Sequence, residues 1–411
     1  MIISYKIRVY PSKRQEYIIN RTCGACRWVY NRYLGYNKKI YEEEKRFVSG
    51  YEFSKILTQL KKTEPDYMWL KEISSKAIHE SFMNADEAIR RFFKGKTGFP
   101  HFKSKKSPVQ SYYFVGDKVR FVDNKVVLPI LGKVRITEND YVPKNKRVIG
   151  GTIKKELDKY YAIFRIDMDK EELDKSPYDN HYNGYGIDVG IKSYLSISDK
   201  MYNIYQFPSF LKDKRILKLE EKVAYLQRLI SSKMEINYGK LLNDYLNKYH
   251  NEPNIITKNI MKGESYSNTC KYLQNKISKL KKKISNIKTD IINKIIIKMV
   301  KTKPKYITIE TLDISSMLKN NSSTDIHRYI QDSQFYTFFQ KLIFKCKIYG
   351  IELRKANKYF ASSKKCCVCG NKKKDLKLSD RIYKCECCGN ELDRDVNASL
   401  NLVNLKKYSL V

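Results

Sequence analysis

Gly186-Ile187-Asp188-Val189-Gly190 sets one carboxylate inside an apolar strand flanked by glycines. An ion in such a strand is costly unless it meets a partner or opens onto a site. Asp188 is therefore the first candidate for chemistry, and the fold is read outward from it. A second strand, Tyr194 to Ser198, follows at once. A long lysine-rich helical region then fills about 210 to 300. Within Asn275 to Met299, Ile277, Leu280, Ile284, Ile287, Ile291 and Ile295 recur at helical spacing, with lysines on the other face. A third strand, Tyr306 to Ile309, runs into Glu310. A helix over 331–348 and a strand from Ile351 to Arg354 follow, then a cysteine cluster. A last short helix is expected to begin near Asp395, in Asp393-Arg394-Asp395-Val396-Asn397-Ala398.

An acid at a strand end is ordinarily a solvated cap. Here, if the strands of Asp188 and Glu310 are neighbours, roughly 5 Å apart, their carboxylates converge with one from the final helix. Hard oxygen ligands of this kind suit magnesium or manganese. Two such ions about 4 Å apart would activate a water and stabilise the leaving 3′ oxygen of a phosphodiester. Asp199 and Asp313, close by in sequence, are read as surface acids.

Cys366-x2-Cys369, fifteen residues, then Cys385-x2-Cys388 has the spacing of a four-cysteine zinc site. Each pair lets two thiolates of one tight turn face the same metal, and Gly370 and Gly389 permit the backbone to fold over it. Cys367 and Cys387 would allow each pair to shift by one, but only the first assignment keeps both spacings and both trailing glycines. Such a ribbon is closed to substrate and contributes folding energy, so its zinc is structural. Cys23 and Cys26 also form a CxxC, on the apolar face of an expected helix without two further ligands. They are read as core, as are Cys270 and Cys346.

The 411 residues carry 81 Lys and Arg against 44 Asp and Glu, a net charge of +37 spread along the chain. That balance points to a nucleic-acid partner. No apolar run approaches the 18 or more residues that span a bilayer, so no membrane partner is expected. The start, Met1-Ile2-Ile3-Ser4-Tyr5-Lys6, alternates like a strand and does not resemble an export signal. A reducing cytoplasm, in association with the nucleoid, is the expected location, with the thiols free or metal-bound.

Residues 2 to 10 alternate as a half-buried strand, with Ile3, Tyr5, Ile7 and Val9 on one face. Helices follow. One begins after Pro11-Ser12 and carries Ile19, Cys23, Cys26, Tyr30 and Leu34 on one side, and another runs from about Ser74 to Phe93. A basic, aromatic loop, including Gly98-Phe99-Pro100-His101-Phe102-Lys103, leads back to short β-rich runs at Tyr112–Phe114, Val119–Val122, Val126–Ile130, Val134–Ile136 and Tyr160–Ile166. That pattern suits a small barrel. Because the first strand is separated from the others by helices, the simplest architecture is a barrel with a helical domain inserted.

These motifs together resemble TnpB, the transposon-encoded relative of the type V CRISPR effector nucleases. The likeness rests on Gly186–Gly190, Ile307-Thr308-Ile309-Glu310-Thr311-Leu312, Ser362–Gly370 and Leu392–Ala398. In the N-terminal half it rests on Tyr5–Pro11, Cys26–Asn31 and Gly98–Lys103. The resemblance implies a multidomain α/β plus β-barrel protein. A wedge barrel would comprise 1–10 and 109–175, and a helical recognition domain 11–108. An RNase H-like, RuvC-type nuclease domain would comprise 180–360 and 392–411, with the zinc ribbon inserted at 361–391. It implies Asp188, Glu310 and Asp395 as the catalytic, magnesium-binding trio. It also implies a guide RNA transcribed from the transposon end and a double-stranded DNA target; one protein copy per RNA is the expectation, with two copies the alternative. A short target-adjacent motif would be read by protein, where Ser75, Lys76 and His79 fall. A miniature CRISPR effector, or a zinc-ribbon transposase or regulator working without RNA, is the alternative.

Overall fold

The computed structural model describes residues 1–138, 140–169, 184–190, 193–201, 203–250, 252–311, 330, 332–358, 360–373, 375–376 and 380–411. It divides into two compact units, Met1–Asp169 and Lys170–Val411.

In the first unit, β1 (Ile2–Tyr10) is followed by α1 (Lys13–Glu44), α2 (Gly50–Thr63), α3 (Pro65–Met68) and α4 (Ser75–Phe93). Strands β2 (Val109–Val115), β3 (Arg120–Val122), β4 (Lys125–Leu128), β5 (Gly132–Ile136), β6 (Val148–Glu156) and β7 (Lys159–Asp167) come next. All pair antiparallel in the order β2-β6-β7-β1-β5-β4-β3. The first strand of the chain thus lies in mid-sheet, paired with β7 from Ile2↔Asp167 to Val9↔Tyr160. Ser12 starts α1 with a capping box, its hydroxyl accepting from the Gln15 amide while Gln15 Oε1 accepts from the Ser12 amide. Phe114 of β2 and Phe121 of β3, the two edge strands, both meet Phe164 of β7, at 5.8 and 5.1 Å between ring centres. The sheet therefore curls around one interior. Cys23 and Cys26 are buried in that core.

Strand β6 lies outside the sequence expectations. Gly150-Gly151 and Lys154-Lys155 blur its alternation, and two partners, β2 and β7, hold it in place instead. Among the helices, Tyr33 anchors a second core, its hydroxyl within hydrogen-bond distance of Val48 O at 2.8 Å and Asp86 Oδ1 at 2.7 Å.

In the second unit, β8 (Tyr185–Val189), β9 (Ser193–Asp199) and β10 (Ile204–Pro208) form an antiparallel meander. Helices α5 (Lys214–Tyr249), α6 (Ile255–Glu264) and α7 (Asn268–Lys301) follow, then β11 (Tyr306–Ile309), α8 (Phe335–Tyr349) and β12 (Glu352–Ala356). Last come β13 (Ile382–Lys384), β14 (Glu391–Asp393), α9 (Arg394–Val403) and β15 (Tyr408–Leu410). The sheet order is β10-β9-β8-β11-β12-β15, with β8, β11 and β12 parallel. Tyr185, Ile187, Leu195, Ile197, Ile307, Ile309 and Leu353 turn to one face, where they share a core with α5, α7 and α8. The α7 stripe runs through Ile277, Ile284, Ile292, Ile295 and Ile296. Lys288 is buried beside it, within 3.8 Å of Glu220 and 3.4 Å of Asp332. No helix of the described residues is long and apolar enough to cross a membrane.

Candidate functional site

The parallel register of β8 and β11 sets Ile309 opposite Ile187. Asp188 and Glu310 are then the next level pair, on strands about 4.8 Å apart. Strand alternation sends the two isoleucines into the helical core and the two carboxylates to the opposite face. Helix α9 covers that face. Gly186 permits the close approach: a Cβ there would stand 2.0 Å from Ser399 O and 2.5 Å from Val403 N. Ser198 and Ser399 hydroxyls bond at 2.6 Å, and Tyr306 OH donates to Val403 O at 3.0 Å, so the helix is tied to β9 and β11.

The Asp-Arg-Asp run divides its labour at the start of α9. Asp393 is the N-cap, its Oδ1 accepting from the amides of Asp395 at 2.9 Å and Val396 at 3.2 Å. Asp395 is thereby turned inward. A Cβ on Gly190, on the same face of β8 as Asp188, would lie 3.4 Å from Asp395 Oδ2. Arg394 Nε lies 3.7 Å from Asp395 Oδ1.

Asp188 and Asp395 are 8% and 9% exposed, and Glu310 is half-buried. Burial, followed by the charges of Glu310 and Asp395, pushes the Asp188 carboxyl well above the usual range, against a smaller pull from Arg394. Burial and Asp395 raise Glu310, against the Ser362 hydroxyl that donates to its Oε1. Acids drawn together from two strands and a helix, away from water, repel one another until protons or a cation neutralise them. Hard carboxylate oxygens are the donor type that magnesium or manganese prefers, although, unlike the four cysteine sulfurs, these three acids do not bring their oxygens within 4.8 Å of one another in this structure.

The four sulfurs of Cys366, Cys369, Cys385 and Cys388 lie within 4.8 Å of one another, with 3.7 Å between Cys366 and Cys388 and 3.5 Å between Cys369 and Cys385. Four thiolates at tetrahedral corners, each about 2.3 Å from zinc, would stand roughly 3.8 Å apart. The donors therefore fit zinc. Each turn closes through a glycine amide, Gly370 N to Cys366 O and Gly389 N to Cys385 O, both at 3.0 Å. Both glycines have positive φ, +79° and +71°. The four thiols act on one another: amides of Cys388 and Cys387 draw Cys385 down to about 6, while Cys369 is pushed up to about 12 and Cys388 is raised, so the sulfurs compete for charge that a zinc ion would neutralise. Cys367 and Cys387 stand outside the sulfur group, and β13 and β14 hold the second turn.

Ser75 and Lys76 are exposed on the first turn of α4, capped by Ser74. His79, one turn on, is half-buried, its ring 5.1 Å from Phe82. Asp199, expected at the surface, is 2% exposed. It accepts from the amides of Met201 and Asn203 at 2.8 and 2.9 Å and from Asn203 Nδ2 at 2.8 Å, so it fastens the β9–β10 turn. Asp313 lies outside the described residues. Ser362, Asn397 and Asn401, which carry no role in the sequence pattern, join the acid cluster to the first cysteine turn. Two amides four residues apart, set among the apolar positions Val396, Ala398, Leu400 and Leu402, were the available signal.

Two family models match the chain. The Cas12f1-like TNB domain covers residues 335–402 and a helix-turn-helix domain of the OrfB IS605 type covers residues 1–46. In this structure residues 1–46 are β1 and the single continuous helix α1. Over 97% of its length the chain is 24% identical to "Putative RNA-guided DNA endonuclease InsQ" of Escherichia coli, of which 91% is covered. Over 97% it is 26% identical to "Putative RNA-guided DNA endonuclease" of Streptomyces pristinaespiralis, of which 88% is covered. Among solved structures, a Cas12f1-sgRNA-target DNA complex aligns over 99% of this chain and all of that one, with a TM-score of 0.35 and 17% identity.

Proposed function

We propose that this TnpB-like chain is an RNA-guided DNA endonuclease, hydrolysing phosphodiester bonds at Asp188, Glu310 and Asp395. The observation that carries the reading is the placement of these carboxylates on one sheet face beside the start of α9, near enough for Glu310 and Asp395 to act on Asp188 through their charge. The relatives that share nearly the whole chain are named as RNA-guided DNA endonucleases. The order β10-β9-β8-β11-β12, with an antiparallel meander beside parallel strands and the acids at the ends of β8 and β11, supports an RNase H-like, RuvC-type domain over 180–360 and 392–411. The curled first-unit sheet supports a wedge barrel over 1–10 and 109–175, with helices 11–108 as the recognition domain. Residues 361–391 are the zinc ribbon, which is structural because all four ligand positions are cysteines.

Magnesium or manganese at the acid cluster would supply an activated water and charge stabilisation on the scissile phosphate. The protein's own part is to hold three carboxylates with little freedom. Asp393 fixes the first turn of α9 and hence Asp395, Ser362 orients Glu310, and Arg394 offsets part of the negative charge. Asp395 also lies at a helix N-terminus, where the peptide dipoles favour an anion.

A guide RNA and target DNA are the partners that the basic charge serves, with one copy of the chain per RNA. Ser75, Lys76 and His79 on α4 are assigned to the target-adjacent base pairs, since Ser75 and Lys76 are exposed on its first turn and the half-buried His79 lies one turn further along. The match to a Cas12f1-like domain also fits a miniature CRISPR effector, which differs in the origin of its RNA. The test is to exchange the guide segment of the RNA and sequence the cleaved DNA. Cut sites should follow the guide, apart from a few base pairs beside the target. Cut sites that stay fixed, or cleavage with the same preference by RNA-free protein, would establish a protein-read nuclease or transposase instead.

A further inference from the structure

The segment Ser362–Cys367 runs from the acid cluster to the first cysteine turn, and two buried amides of α9 hold it. Asn397 and Asn401 are 0% and 7% exposed. Spaced four apart, they share one face of the helix. Asn401 Nδ2 donates to Ser362 O at 2.9 Å and to Lys365 O at 2.6 Å. Asn397 Nδ2 donates to Lys365 O at 2.7 Å, while its Oδ1 accepts from the Cys367 amide at 3.0 Å. At the near end, the Ser362 hydroxyl donates to Glu310 Oε1. The other side of the same helix turns Asp395 toward Asp188. Helix α9 therefore touches the acid cluster twice, directly through Asp395 and indirectly through Asn401, Ser362 and Glu310.

We infer that Asn397 and Asn401 are positioning residues: by clamping Ser362–Cys367 to α9 they set Glu310 relative to Asp395, so the helix, the root of the zinc ribbon and the two strand-end acids hold the divalent ion as one unit. The inference rests on the carboxylate reading of the site. A packing role alone would need no amides, because apolar side chains fill a helix interface equally well. Here every amide hydrogen bond goes to the backbone of one short segment that has no regular pairing of its own beyond a three-residue 3-10 turn and one bridge, Lys365 to Lys372. Removing the Asn401 amide leaves two carbonyls, those of Ser362 and Lys365, with less to hold them. The segment then drifts, and the Ser362 hydroxyl no longer restrains Glu310.

The experiment titrates manganese into the full chain bound to its guide RNA, without DNA, and follows binding by manganese paramagnetic resonance. Zinc content, melting temperature and cleavage kinetics are measured alongside. Asn401→Ala and Ser362→Ala should each weaken manganese binding about tenfold, the range seen when a group that orients a metal ligand is lost. They should lower kcat more than they raise KM and leave zinc content unchanged. Because the two act in series on Glu310, the double variant should bind manganese no more weakly than either single one. Ser362→Thr, which keeps the hydroxyl, should restore binding. Manganese affinity unchanged in both single variants, or losses that add in the double variant, would overturn the clamp. If Asn401→Ala does not fold, the Ser362→Ala and Ser362→Thr pair decides alone. Asp188→Asn separates the two levels of argument: if it too leaves manganese binding intact, the carboxylate reading itself is wrong, whereas loss there with no effect at Ser362 and Asn401 rejects only the clamp.

Discussion

At the residue scale, the raised carboxyls of Asp188 and Glu310 link the site to pH. Both shifts are upward, so the unfolded chain releases these protons at lower pH than the folded one. Between the ordinary carboxylate range and the raised values, the folded state holds more protons and stability falls as pH rises. The metal-free protein should thus lose melting temperature through these groups as pH rises above the ordinary carboxylate range, and magnesium should return it. Asp188→Asn should reduce that slope, raise the melting temperature of the metal-free protein at pH above the ordinary carboxylate range, and abolish cleavage while sparing RNA binding. The check is a differential melting series of the variant against the parent. Equal pH slopes in the two proteins would show that Asp188 is not a strained acid.

At the scale of an element, the ribbon is too small to hold itself together by burial. Among the described residues its buried core is Cys366, Leu376, Tyr383 and Cys385, and β13 pairs with β14. A fold of that size depends on its metal. Cys385→Ser should release about one zinc per chain and lower the melting temperature, measured by metal analysis and calorimetry. Because Asn397 bonds to the Cys367 amide at the ribbon's root, cleavage should fall as well, although no cysteine touches the carboxylates. Absence of zinc from the parent protein would remove the ribbon assignment.

For the whole molecule, the net charge of +37 governs how the chain meets nucleic acid. Lysine and arginine contacts to phosphate carry no base information, and each releases counterions on binding. The RNA-free protein should bind DNA with little sequence preference. Its affinity should fall by about a thousandfold or more between about 50 and 200 mM salt. With guide RNA bound, part of that charge is already neutralised and target choice passes to base pairing, so the preference should become sequence-dependent. Fluorescence anisotropy over a salt series, with and without RNA, measures both slopes. A salt-insensitive, sequence-selective RNA-free protein would contradict this account.

What could be read along the chain were features decided by local spacing. Asp188 stood out because a lone carboxylate in Gly-Ile-Asp-Val-Gly conflicts with its apolar neighbours, and the cysteine pairs because two x2 turns bring sulfurs to one point. The apolar stripe of α7 and the alternation of β1 were legible for the same reason, since periods of 3.6 and 2 residues record which face is buried. Strand β6 was not, because its pairing on both sides with β2 and β7 outweighs a weak local pattern. Asp199 passed for a surface acid because nothing nearby in the chain shows that its turn folds over it. The separate roles of Asp393 as cap and Asp395 as inward acid needed the helix start in place. So did the bonds from Asn397 and Asn401 to Ser362–Cys367, thirty or more residues away. Periodicity records only which side of an element is buried. Which groups meet across elements is set by register and by the close approach at Gly186, and these exist only once the chain has folded.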